Sequence, residues 1–107
     1  MSSFDKREEG FEKKFAMDEE QKFKAMARRN RLLGLWTAGQ LGITGDAATA
    51  YAKEVVAADF EQPGENDVVH KVMRDLAGKA VTITEPQLRA KMDELLAQAV
   101  AQVKTGT

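Results

Sequence analysis

Apolar residues recur at three- and four-residue spacing in each stretch that glycine and proline mark off in this chain, a pattern that suits helices. Leu32, Leu33, Leu35 and Trp36 form a dense apolar run that should close before Gly42, so a first helix is expected over 19–41. Thr44, Gly45 and Asp46 supply N-cap chemistry for a second helix over 46–61. On it Ala48, Tyr51, Ala52 and Val55 fall at helical spacing, and Pro63-Gly64 breaks the chain after it. A third, over 66–78, follows Glu65, Asn66 and Asp67, whose acids suit the positive end of a helix dipole. It carries Val69, Val72, Met73 and Leu76 on one face before Gly78. The fourth, over 85–104, has the best-marked start: Thr84 and Gln87 have capping-box spacing, Pro86 sits in the first turn, and Ile83 can staple onto Leu88. Its apolar face is Leu88, Met92, Leu95, Leu96, Ala99 and Val103. The alternating run Ala80-Val81-Thr82-Ile83-Thr84 would suit a strand, but with no partner strand in sight it reads as an extended connector. The expected fold class is all-α: a small antiparallel four-helix bundle over 19–107 behind a mobile, partly helical segment, 1–18.

That division comes from charge. Residues 1–31 hold nine Lys/Arg and seven Asp/Glu, against seven and ten in the rest of the 107 residues. A segment so charged, with few large aliphatic residues before Leu32, buries too little apolar surface to offset its own ordering entropy. A chain of this length supports one core. No apolar run approaches the roughly 18 residues of a membrane span. The start MSSFDKREEGFEKKF is charged where a secretory signal is apolar, so a cytoplasmic protein without direct membrane insertion is expected. With no cysteine there is neither a disulfide framework nor a thiolate nucleophile or ligand.

Catalytic sets are sparse. The sole histidine, His70, excludes a two-histidine metal site, and although Asp67 and His70 share a helix face, a di-iron bundle needs two Glu-x-x-His elements. The glycines of GLWTAGQLGITGD lack the Gly-Lys-Ser/Thr of a phosphate loop. No enzyme, catalytic residue, metal or required cofactor is expected. Weak binding of an adenine nucleotide by side chains stays open, as does a bundle serving only as a small-ligand binder. Lys22, Lys24, Arg28, Arg29 and Arg31 are the candidates for phosphate contact. Because Asp18, Glu19 and Glu20 lie one turn before them, they read as a solvated, self-paired helix face, with Asp18–Lys22 and Glu20–Lys24 as the pairs, and no nucleic-acid partner is expected.

The feature least like an ordinary helix face is the set Phe4, Phe11, Phe15, Met26, Leu33 and Trp36, which falls within about 40° of one line at 100° per residue. Asp18, Glu19 and Lys22 interrupt that line, and Gly10 costs about 1 kcal/mol in a helix interior. The part from about Phe23 to Leu41 should therefore pack into the bundle. The part before it either folds back on its own core or docks as an amphipathic helix in a partner's apolar groove, ordering as it binds.

FDKREEGFEKKFA, FKAMARRNRLLGLW, GDAATAYAKEVVAADFEQPGENDV and LRAKMDELL, in this order, resemble the zeta subunit of α-proteobacterial ATP synthases, small inhibitors of the F1 catalytic sector. The resemblance spans almost the whole chain. It implies a four-helix bundle, monomeric when free, whose N-terminal segment enters a catalytic interface of F1, among the alpha, beta and gamma subunits, and blocks rotation in the hydrolytic direction. Carried onto this sequence it makes Phe4, Asp5, Arg7, Phe11, Glu12, Lys14 and Phe15 the partner-binding residues. The likeness to the mitochondrial ATPase inhibitor is confined to the use of an N-terminal amphipathic helix. With the single His70 far along the chain, no histidine-cluster pH switch is expected.

Overall fold

Two helices of this protein start on the same reciprocal device. In the computed structural model, which describes residues 17–61 and 65–106, Asp18 caps the first helix, α1 (Glu19–Leu41): its carboxylate accepts from the Gln21 amide at 2.8 Å while Gln21 Oε1 accepts from the Asp18 amide. Thr84 and Gln87 repeat the box at the start of α4 (Glu85–Thr105), as their spacing required. Between them lie α2 (Gly45–Glu61) and α3 (Glu65–Gly78). The four expected helices are thus present, and the described residues contain no strand.

The helix ends are equally local. At the end of α1 Gly42 takes a left-handed φ of 77°, and the amides of Gly42 and Ile43 reach back to the carbonyls of Gly39 and Ala38. At the end of α3 the same pattern appears with a different residue. Gly78, expected as the stop, stays helical, and Ala80 takes the left-handed φ of 57°, with the amides of Ala80 and Val81 bonded to Ala77 and Leu76. Beyond it the alternating residues form a strap rather than a strand: Val81 and Ile83 pack on the core, while Thr82 and Thr84 face water.

The core is built around α1. Leu33 and Ala38 of α1, Tyr51 and Val55 of α2, Val68, Val69, Val72 and Leu76 of α3, and Leu88 and Met92 of α4 form one buried cluster. Each fully buried aliphatic side chain there is worth about 1.5–3 kcal/mol of transfer free energy. Val68, which periodicity left off the inner face of α3, is wholly buried because the helix is covered across more than one stripe. Where α1 meets α2 the backbones touch: a Cβ on Gly34 would lie 2.5 Å from Ala52 Cα. A second, smaller cluster of Met17, Ala25 and Val100, with Leu96 and Val103 against it, joins the other end of α1 to α4.

Two glycine substitutions in α1 should move stability in opposite directions. Gly34→Ala should cost about 1–3 kcal/mol by overpacking, whereas Gly39→Ala, with nothing within 4 Å of its Cβ, should be neutral or gain up to about 1 kcal/mol; chemical denaturation measures both. Ala80→Gly should raise stability by about 0.5–1 kcal/mol, because it relieves a left-handed residue with a Cβ, and the same denaturation curves read it out.

Candidate functional site

The partner-binding residues expected from the sequence, Phe4, Asp5, Arg7, Phe11, Glu12, Lys14 and Phe15, lie outside the described residues. What the structure does describe is the point at which that segment joins the bundle. Met17 is buried, only 5% exposed, against Ala25 and Val100, and Asp18 is held by the capping box. Both residues, placed at the end of the mobile segment in the sequence reading, are engaged with the bundle. The described chain therefore begins at a point fixed on the bundle.

The basic stretch behind this point does not form one solvated face. Lys24 pairs with Glu20 at 3.2 Å as expected, but Lys22 pairs with Glu19 at 3.3 Å instead of with Asp18, whose carboxylate is committed to the cap. The Lys24–Glu20 pair, exposed on both sides, contributes little stability. Arg28 reaches across to α4, its Nη1 donating to Gln102 Oε1 at 3.2 Å. Arg29, read as solvated, is 1% exposed, and its Nε donates to Asn30 Oδ1 at 2.9 Å. The physical reason is position: Ala25, Arg29 and Leu33 are four apart, so they share the line along which α4 packs. Of the five, only Lys24 and Arg31 are exposed.

Phe23 departs from expectation in the other direction. It was expected to begin the packed part of the first helix, yet it is 58% exposed. On the helix it shares a line with Asn30 and Gly34, the face that meets α2. With Gly34 opposite Ala52, α2 runs antiparallel to α1 and ends at Glu61 before reaching the level of Phe23. No single-chain periodicity reveals this, because it depends on the relative lengths of two helices.

A second feature lies between α2 and α3. Glu54, Ala57 and Ala58 on one side and Asp67, His70, Lys71 and Arg74 on the other line an open groove of about 540 Å³. Beside it Tyr51 Oη donates to Asp75 Oδ2 at 2.7 Å, Lys71 Nζ donates to the same oxygen at 3.2 Å, and Lys71 Nζ stands 5.1 Å from the Tyr51 ring centroid. Burial, followed by the Asp75 carboxylate, raises the Tyr51 hydroxyl well above the ordinary tyrosine range. No group of three or more His, Cys, Asp or Glu suited to a metal ion occurs among the described residues. None of the described helices is long and apolar enough to cross a membrane.

A family model described as ATPase inhibitor subunit zeta matches residues 1–102, and so takes in the N-terminal segment as well as the bundle. No curated protein matches the chain. Among solved structures, one determined by NMR in solution is 53% identical, over 79% of this chain and 96% of its own, with a TM-score of 0.69.

The Tyr51–Asp75 bond should be visible in stability as a function of pH. Tyr51→Phe should cost about 1–2 kcal/mol near neutrality. A raised folded-state pKa means that this contribution is fully present below the unfolded tyrosine value of about 10 and fades as pH rises beyond it. The melting temperatures of the two proteins should therefore differ at pH 7 and converge above pH 10.

Proposed function

The chain belongs to the family of the ATPase inhibitor subunit zeta, and from that premise we propose that it inhibits ATP hydrolysis by the F1 sector of ATP synthase. The observation that carries this reading is that the family match begins at residue 1 and runs through the segment before Met17. In the proposed mechanism that segment orders in a catalytic interface of F1, among alpha, beta and gamma subunits, and blocks rotation in the hydrolytic direction. Phe4, Phe11 and Phe15 anchor it by burial, and Asp5, Arg7, Glu12 and Lys14 set its register and orientation. Met17 and the Asp18 cap support this reading because they tie the end of the segment to a packed helix, so that the bundle presents it from one place. The protein works in the cytoplasm, at the membrane-bound complex, and is a monomer when free.

A second reading, weak binding of an adenine nucleotide, is favoured by the groove between α2 and α3, where Lys71 and Arg74 line one wall beside His70. Glu54 and Asp67 in the same walls oppose a polyphosphate. Titration with nucleotide, followed by amide NMR shifts, decides it. Saturable shifts confined to α2 and α3 support this reading, and an unchanged spectrum removes it.

Steady-state ATP hydrolysis by the cognate F1 tests the leading reading. The full chain should inhibit, and a chain beginning at Met17 should not. Truncation here keeps the buried Met17 in place, so a loss of inhibition reports on the segment and not on a damaged bundle. Phe11→Ala should weaken inhibition about tenfold to a hundredfold, the equivalent of one buried phenylalanine. Inhibition by the truncated chain equal to that of the full chain would overturn the assignment of the contact to this segment.

A further inference from the structure

The bundle has two apolar clusters, and polar residues stand between them on α1. Toward the C-terminal end of α1, Leu33 and Ala38 belong to the large cluster shared by all four helices. Toward its N-terminal end, Ala25 belongs to the small cluster with Met17, Leu96, Val100 and Val103, to which, among the described residues, neither α2 nor α3 contributes. Between Ala25 and Leu33 the buried side chains of α1 are Arg29 and Asn30, each 1% exposed. Arg29 Nε donates to Asn30 Oδ1, while Asn30 Nδ2 is buried without a hydrogen-bond partner. A buried amide donor left unsatisfied lowers the cost of letting water in at that level, and the shortness of α2 leaves the Phe23 side of α1 already exposed.

We infer that the first ten residues of α1 and the last two turns of α4 form a separate opening unit, which parts from the main core at Arg29–Asn30 while the rest of the bundle stays folded. Among the described residues its apolar cluster comprises five side chains including one alanine, and it is bounded on one side by a polar layer where the main core is continuous. Proteins open in such contiguous units at free energies below that of global unfolding. Opening would release the first half of α1 together with the segment before it, lengthening the helix that can be offered to a partner. That use rests on the proposed inhibitory function; the opening itself is a property of the free chain.

Hydrogen–deuterium exchange on the free, full-length protein, read residue by residue by NMR, tests the opening without any partner. Amides of 22–28 and 98–104 should share one protection level at least about tenfold below that of 33–38 and 88–92, with the break at Arg29–Asn30. Val100→Ala should raise exchange in the first set about tenfold while changing the second less than about twofold. The double variant Arg29→Met/Asn30→Leu, which fuses the clusters with apolar side chains, should bring the two sets to a common level. A protection that decays gradually from the helix ends is simple fraying and overturns the inference, as does Val100→Ala accelerating both sets equally. Protection of the first set left unchanged in the double variant would also overturn the polar layer as the boundary.

Discussion

The contact of α1 with α2 at backbone distance sets the rest of the bundle. Gly34 permits it: with any larger residue the Cα of Ala52 would be in the way, and the two helices would have to separate or slide. Close approach there places Val55 beside Gly34, and Leu33, Val55 and the buried valines of α3 share one cluster. It also fixes where α2 runs out along α1. The exposure of Phe23 and the level of the polar residues Arg29 and Asn30 follow from that register.

The consequence is a bundle whose two ends differ physically. At one end four helices share a continuous apolar cluster, closed by the strap of Val81 and Ile83 and by Ile43 after the first helix. At the other, among the described residues, α1 and α4 meet over Met17, Ala25, Leu96, Val100 and Val103, beside a capped helix start. The family model spans both the bundle and the residues before it on this chain of 107 residues.

Much of the architecture was legible beforehand because it is decided within a few residues of chain. The Thr84–Gln87 box, the left-handed Gly42 and the inward stripes of Tyr51–Val55 and Leu88–Met92 depend on spacing and side-chain type alone. Failures occurred where a local rule had two ways of being satisfied. α3 ends at Gly78 as expected, yet the left-handed turn that follows falls on Ala80 and not on the glycine. Asp18 was spaced to pair with Lys22, yet its carboxylate serves as cap. The groove between α2 and α3 was not visible at all, since His70, Lys71 and Arg74 meet Glu54 only once two helices are packed.

By itself the sequence determined the number of helices, most of their limits and the family of the protein, because capping, chain reversal and periodicity are properties of short stretches. Only the tertiary structure decided that Arg29 goes inside and Phe23 outside, against their usual preferences. Burial of a given side chain depends on which helix covers that level of α1 and where the neighbour ends. Those quantities are set by packing between segments distant in sequence, above all by the approach at Gly34 and Ala52.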